Sequence, residues 1–588
     1  MTLADVDLGG IDAEADRKLD EYFVTTPYVT TALRGRRTLF LGRKGSGKSA
    51  LFSQLPRLTA AKGQVGPTVI SITPDQYAWA ALKRYQEQGI LPEQAHTNAW
   101  KLTLVLEIAA RLASLERGWD SETSPAIESL RKFVEENYGT TQPGFLQTAT
   151  SVLKGLKQFN FSAFGFGVGL QRDLESQPMT PTVVQALLGV LERPLAAKGV
   201  LVALDRLDDS WDGSDDSQSL MIGLLKAAKE LNDRFEWHDG ARGLRILVFL
   251  RTDIYDALRF DDKDKHRPTE EHITWKPEEL KTMLQRRLPP DVAVDELFEP
   301  GDMRGSISPF NYIVKRTFLR PREVLQFVSE CIRQAGTQAV QVTKDSIRAA
   351  EERYSGWKVS DLKQEYAKVF PKYDALLECL RQERHRYDAI DELQRLLERK
   401  QPELVAEYGA RNLLEILFDS SVIGVRLGDA GSARFKSEDS ELTLPMFGAV
   451  YVHQSLHRGL KIREARKAVV DEQEAQARSQ HARITIELQK LMMAALPVQD
   501  MTWFGLKPTP GAIFRNSDFQ TFAESLGLKL VEDDTFTTLR RPDKIPAGRL
   551  TEDKAVYERL RQQMGDLLAT NQVTWQQYVD REGDPRGA

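Results

Sequence analysis

Residues 42–49 read Gly-Arg-Lys-Gly-Ser-Gly-Lys-Ser and match the pattern G-x-x-x-x-G-K-[ST]. The chemistry this spacing permits is the holding of a polyphosphate. Glycines let the backbone wrap so that successive N–H groups point at phosphate oxygens. A helix starting near Lys48 adds the positive end of its dipole. Lys48 would bridge the β- and γ-phosphates, and the Ser49 hydroxyl would ligate Mg²⁺. The candidate nucleotide-binding set is Gly42, Arg43, Lys44, Gly45, Ser46, Gly47, Lys48, Ser49 and Ala50.

A phosphate loop needs a second acidic element on a neighbouring strand. Val-Leu-Val-Ala-Leu at 200–204 followed by Asp205 supplies it, with the carboxylate at the strand's carboxyl end, where parallel α/β sheets bind ligands. Asp205 would hold Mg²⁺ through its water shell, alongside Ser49. Asp208 and Asp209 are both candidates to orient or deprotonate an attacking water. A further apolar run ends in Arg251-Thr252-Asp253, which offers polar groups to the γ-phosphate or the water. Its alternative reading is a turn, with Asp253 capping the next helix. Arg320-Pro321-Arg322 places guanidiniums on both sides of a proline suited to a helix start. Such a group can be aimed across a cleft at phosphate, whose oxygens match its planar fork.

Other features are weaker. Gly165-Phe-Gly-Val-Gly169 does not stand between a strand and a helix, as a dinucleotide site requires, and reads as hairpin structure. His266 and His272 lack cysteine or carboxylate companions at metal-ligand spacing. Cys331 and Cys379 are the only cysteines, too few for a disulfide framework, and read as small buried hydrophobes.

The elements that must carry these groups follow from periodicity. Short Val/Ile/Leu-rich runs at 38–41, 68–72, 199–204 and 244–250 read as strands buried on both faces, alternating with helical stretches such as 100–112 and 182–192. This is an α/β P-loop fold with a parallel sheet. The organisation expected is a leading segment (1–22), a core (23–275) with an inserted lobe at about 113–180, a helical lid (276–350), a winged-helix-like domain (351–460), a charged helical connector (461–490) and a small α+β C-terminal domain (491–588). A hairpin is expected in 151–170. The winged region is expected to hold a helix at 413–418, strands at 422–427 and 433–436, and a turn at 428–431. The 588 residues carry 80 Lys and Arg against 85 Asp and Glu, a net charge of −5, which excludes a uniformly basic nucleic-acid coat. The acidic start lacks the apolar stretch of a secretory signal, and no run approaches the ~20 residues of a membrane span, so a cytoplasmic location without membrane contact is expected.

The segments AEADRKLDEYFVTTP, GRKGSGKSALF, VLVALDRLDDSW, VFLRTDIYDALRFDDKDKHRPTEEHITWKPEEL and FLRPREVLQF occur in this order. Together they resemble a family of bacterial P-loop ATPases related to the STAND class, whose neighbours are the KAP-, NACHT- and origin-recognition-type ATPases of the AAA+ kind. The resemblance covers about residues 10–335 and extends more loosely to about 460; the tail is unmatched. It implies that residues 42–49 form Walker A, that Asp205 is the Walker B acid, that Arg251 stands at sensor 1, and that Arg320 or Arg322 acts near sensor 2. Many relatives place a Glu where Asp209 stands. The shorter side chain implies slow turnover, or a switch that mainly binds ATP. Several such ATPases are encoded in bacterial antiviral defence islands.

The function expected is therefore a slowly hydrolysing, Mg²⁺-dependent ATP switch in signalling or antiphage defence, forming a nucleotide-dependent homo-oligomer and acting through a separate effector protein. The competing reading is a DNA-binding or remodelling ATPase of origin-recognition type. Arg426, Arg434 and Lys436 in the wing stand beside Asp429, Glu438 and Asp439, a mixed sign that favours packing within the chain over reading DNA.

Overall fold

The computed structural model describes residues 2–463 apart from 61–65, 84–90, 116–118, 141, 154–178, 239–241 and 427–431; beyond them it describes only 480, 484, 487, 528–530, 536–538, 559, 562–563 and 565–573. Five strands, β1 (Leu39–Leu41), β2 (Thr68–Ile72), β3 (Val200–Leu204), β4 (Leu244–Leu250) and β5 (Glu270–His272), form one sheet in the order β2-β3-β4-β1-β5. Every neighbouring pair is parallel.

Strand side chains alternate between faces, and the apolar residues divide accordingly. Leu39, Leu41, Val200, Val202, Leu204, Ile246 and Val248 join one core, while Phe40, Leu201, Ala203, Leu247 and Phe249 join the other. A sheet buried on both faces needs helices on both. Helices α1 (Pro27–Arg34) and α2 (Lys48–Ala60) cover the second face, and α3 (Pro92–Ala113) and α4 (Asp215–Arg234) the first. Ser214 caps α4 by accepting from the Ser217 N–H, and Asp215 and Asp216 in the first turn favour the dipole. The Trp100 indole, fully buried, donates to the Leu220 carbonyl at 3.0 Å and ties α3 to α4. Burying an aromatic of this size contributes roughly 2–3 kcal/mol.

The register sets the functional edge. Leu41 pairs with Leu250, and Leu204 with Val248. Gly42 and Arg251 therefore leave the sheet level with each other, and Asp205 leaves the adjoining strand level with Phe249.

Strand β5 was not anticipated. Its residues Glu270, Glu271 and His272 are all polar and half-buried, as an edge strand allows, so no apolar run announces it.

Beyond the sheet, α5 (Pro277–Gln285), a short helix Pro309–Val314, α6 (Pro321–Ala335) and the first half of α7 (Lys344–Tyr366) enclose a core that includes Phe310, Phe327 and Tyr354. Phe327 and Tyr354 stack with centroids 4.5 Å apart. The leading segment joins this core through Leu3 and Leu8, and the Leu3 N–H donates to the Ala339 carbonyl at 2.7 Å. Helix α7 runs unbroken through the boundary expected at 350/351, and its second half supplies Val359, Leu362 and Tyr366 to the next core.

That core also holds α8 (Ala410–Asp419) and a three-stranded antiparallel sheet of β6 (Arg386–Tyr387), β7 (Ile423–Val425) and β8 (Val450–Val452), in the order β6-β8-β7. The strand expected at 433–436 is not formed; Arg434 makes a single bridge to Val425, and Glu438 bends the chain back by accepting from the Phe435 N–H. Of the hairpin expected in 151–170, residues 151–153 continue the helix Phe145–Leu153 and the remainder lies outside the described residues, as does the turn expected at 428–431. The expected connector and C-terminal domain lie mostly outside them too; a two-stranded antiparallel ladder, Leu528–Leu530 with Phe536–Thr538, is described there. No helix among the described residues is long and apolar enough to cross a membrane.

Candidate nucleotide-binding site

The loop at residues 42–49 joins β1 to α2 and turns through positive φ at Gly45 (+81°) and Gly47 (+97°). A Cβ on Gly45 would lie 3.0 Å from the Arg322 Cβ, and one on Gly42 would lie 2.4 Å from the Ser46 hydroxyl oxygen. Glycine is required at both, at the first for its dihedral as well as its size. Lys48 is buried at the start of α2. Its ammonium donates to the carbonyls of Gly42 (2.6 Å) and Arg43 (3.2 Å), curling back over its own loop. Burial lowers the lysine's pKa, opposed by the negative charges of Asp205 and Asp208. The Trp275 indole, just after β5, donates to the Ser46 carbonyl at 2.8 Å and braces the loop from the lid side.

Asp205 is buried at the end of β3. Burial raises its pKa, while a hydrogen bond from Ser49 and the charge of Lys48 pull the other way. Its Oδ2 has no partner. A buried carboxylate oxygen left unpaired beside a serine hydroxyl fits the needs of a hydrated divalent cation, which takes oxygen ligands from one or two side chains. The Ser49–Asp205 pair is thus suited to Mg²⁺.

The two candidate bases occupy the turn after β3. Asp209 is about half exposed and held by Arg206, from Nε at 2.9 Å and Nη2 at 2.7 Å. Arg206 itself sits at φ +61°. Asp208 reaches Arg251 at 3.4 Å. Arg251 is buried at the end of β4 and heavily committed. Nε and Nη2 donate to Asp253 at 3.1 and 2.6 Å, and Nη2 also donates to the Glu365 carbonyl at 2.8 Å. Asp253 therefore serves as the arginine's partner, while Arg251 occupies the N-cap position of the next short helix.

Neither lid arginine faces solvent as a free basic helix start. Pro321 opens α6 with Arg320 at its N-cap. Arg320 is buried; Nη1 donates to the Lys44 carbonyl of the phosphate loop (3.0 Å) and to Glu365 (3.1 Å), and Nε faces Glu323 at 3.4 Å. Arg322 packs over Gly45 and pairs with Asp12 of the leading segment. Arg43 reaches outward, donating to the Tyr366 hydroxyl and to the Asp419 carbonyl at the end of α8. Lys368, just past α7, donates to the Asp208 carbonyl at 3.0 Å.

A cleft of about 960 Å³ opens against the loop. Residues 45–51 form its floor, Arg322 and Leu325 of α6 one wall, and the aromatic residues Tyr22, Phe23, Tyr28 and Trp275 much of the rest. An aromatic-walled cleft ending at a phosphate loop can take a flat base at one end and a polyphosphate at the other. Arg320 and Arg43 line a second hollow against the loop, which shares Ser46, Ile273 and Trp275 with the first.

Sequence reasoning missed three contributors. Trp275 was assigned no role from the sequence, although its indole N–H donates to the loop. Glu365 was assigned none either, since nothing in its local spacing marks its distant partners Arg320 and Arg251. The leading residues 10–28 supply walls of the cleft, a role that no hydropathy pattern encodes.

Residues 277–363 match the model of the FunZ-associated C-terminal helical domain. The match begins at α5 and ends inside α7, so it takes in the helices around Arg320 and Arg322. The chain is 23% identical over 455 residues to the putative transposon gamma-delta 80.3 kDa protein of Escherichia coli, covering 73% of this chain and 62% of that protein. It thus spans under two thirds of that relative's length. Among solved structures, the Aeropyrum pernix ORC2 protein, in ADPNP–ADP complexes, matches with 12% identity and a TM-score of 0.26 over 70% of this chain and 91% of that one.

Proposed function

We propose that this chain is a Mg²⁺-dependent ATP-binding switch that hydrolyses ATP slowly. The observation that carries the reading is the constellation at the carboxyl edge of the sheet: Lys48 at the start of α2, and Ser49 beside an Asp205 oxygen that has no partner, at the end of an aromatic-walled cleft. Lys48 would leave the Gly42 and Arg43 carbonyls to bridge the β- and γ-phosphates, and the loop N–H groups would take the oxygens between. Mg²⁺, held by Ser49 and Asp205, would neutralise charge on the same oxygens. Tyr22, Tyr28 and Trp275 would shield the base from water.

Slow turnover is supported by the state of the two candidate bases. Asp208 is engaged by Arg251 and Asp209 by Arg206, so either must be released before it can act on a water. The switch character is supported by the contacts that cross the loop. Arg320, Arg43 and Lys368 link the lid and the region after it to the loop and to the Asp205 strand end. A nucleotide that reshapes the loop has different contacts in the two arrangements, which is what a ligand needs to shift an equilibrium. Release of the region around α8 would then expose surface for a second copy of the chain or for an effector protein, in signalling or antiphage defence. The DNA-remodelling reading gains no support, because the Lys436 ammonium is turned inward onto the Leu442 carbonyl at 2.7 Å.

The test is ATP binding and hydrolysis by the full chain with and without Mg²⁺, with mass photometry in parallel. Mg²⁺-dependent binding that is lost in Lys48→Ala is expected. Equal binding by wild type and this variant would remove the assignment.

A further inference from the structure

Three arginines from distant parts of the chain end on one dipeptide at the end of α7. Arg320 donates to the Glu365 carboxylate, Arg251 to the Glu365 carbonyl, and Arg43 to the Tyr366 hydroxyl. Each also belongs to an element that borders the phosphate loop: the lid helix start, the end of β4, and the loop itself. Glu365 is 3% exposed, so these are interior contacts in which a removed partner is strongly felt.

Arg320 donates to the Lys44 carbonyl of the loop at 3.0 Å, and Arg251 leaves β4 level with Gly42, where β1 enters the loop, so the Glu365 group borders the loop that would hold the phosphates. A terminal phosphate brings charge that seeks guanidinium partners. In the arrangement seen here, the two arginines best placed to answer it are spoken for. Arg320 divides its donors among Lys44 O, Glu365 and Glu323, with Nη2 left unpartnered in the interior.

Resting on the ATP-switch reading, we infer that Glu365 is a positioning residue that holds Arg320 and Arg251 in reserve, so that a nucleoside triphosphate must draw them from Glu365 while a diphosphate need not. The carboxylate competes with the terminal phosphate for Arg320. Lys358 stabilises the acid when Arg320 leaves, because it already lies within the same buried cluster, bonded to Glu323 at 2.5 Å. The resting arrangement then favours the diphosphate, and drawing off the arginines loosens the end of α7 from the core.

The experiment measures dissociation constants of fluorescent ATP and ADP analogues for the full chain with Mg²⁺. The set is wild type, Glu365→Gln, Glu365→Asp, Arg320→Ala and the Glu365→Gln/Arg320→Ala pair. Glu365→Gln keeps the main-chain carbonyl that serves Arg251 but removes the charge competing for Arg320. It is expected to tighten ATP about ten-fold, the scale of one charge-assisted bond, while ADP changes less than about two-fold. Glu365→Asp, which retains the charge, should stay near the wild-type ratio. In the Arg320→Ala background the gain should vanish. A purely structural role would move both nucleotides alike and survive in that background; either result overturns the inference. If Glu365→Gln does not fold, Glu365→Asp with Arg320→Ala carries the test. Arg320→Ala must then weaken ATP more than ADP, and equal weakening overturns the inference. The underlying reading is tested separately, by Lys48→Ala losing both nucleotides. A wild-type chain that binds neither would sink that reading and this inference with it.

Discussion

Arg43 of the phosphate loop donates to the main-chain carbonyl of Asp419, 376 residues further along the chain. The loop's own side chain thus grips the end of α8. Its main-chain carbonyl meanwhile accepts from Lys48 at 3.2 Å, so the lysine and the α8 contact share one residue. Moving Lys48 onto a phosphate frees that carbonyl and lets Arg43 shift. Arg43→Ala should therefore lower hydrogen-exchange protection across 410–419 without nucleotide, and leave ATP binding within about three-fold of wild type. Unchanged protection would show that other contacts hold α8 in place.

Lys48→Ala removes the group that would bridge the phosphates. Charge-assisted contacts of this kind contribute on the order of 2–4 kcal/mol, so steady-state ATP turnover should fall at least ~30-fold. Wild-type turnover in the variant would show that the phosphates bind elsewhere.

Asp205→Asn and Asp209→Asn should separate two roles. Asp205 is a buried carboxylate whose pKa burial raises and whose Oδ2 is unpaired, so its charge costs stability when no cation is present. The amide should raise nucleotide-free stability by about 1–2 kcal/mol, and abolish the further rise in melting temperature expected of wild type with Mg·ATP. Asp209 is half exposed, and its replacement should spare binding while slowing single-turnover hydrolysis. If hydrolysis is unchanged, Asp208 becomes the group to test.

Replacing the two lid arginines should have different effects. Arg322 lines the cleft over Gly45 with a partly exposed side chain, so Arg322→Ala should weaken ATP and ADP together, about ten-fold, at little cost in melting temperature. Arg320→Ala strips a partner from buried Glu323 and Glu365 and should be clearly destabilised. Equal melting temperatures for the two variants would contradict the burial described here.

Glu365 also gives the protein an acid limit. Burial pushes its carboxyl up, but Arg320, Arg251 and Lys358 outweigh that and hold it at about 2, below its ordinary 4.5. A folded-state pKa below the unfolded one means stability that is full above about 4.5 and lost as pH falls toward about 2. Urea titrations across that window should show a shallower loss in Glu365→Gln than in wild type. Identical slopes would mean that the carboxylate is not paired in solution.

How far the sequence could be read follows from where the information lies. Strands β1 to β4 and the phosphate loop are local: apolar runs and glycines at fixed spacing. Asp205 was legible because an acid at the end of a buried strand has few other uses. Strand β5 was not, since Glu270, Glu271 and His272 form an edge strand with no apolar run to announce it. In helix α7, Glu351, Lys358 and Glu365 look like solvent-facing charges yet are buried in ion pairs. Their meaning lies in partners tens to hundreds of residues away, and periodicity carries no record of those.

The Leu3–Ala339 hydrogen bond also sets an order of events during synthesis. The leading segment emerges first but cannot settle until residues 336 positions later have left the ribosome. At about 5–20 residues per second, that is a wait of some tens of seconds. Through that interval Leu3, Leu8 and the aromatic walls of Tyr22 and Tyr28 lack the lid that will cover or face them. The nascent chain therefore passes through a stage in which the sheet can form while the cleft is still open on one side. Chaperone dependence should concentrate there, and a ribosome-stalled chain ending before about residue 340 should bind hold-type chaperones more tightly than one stalled beyond it.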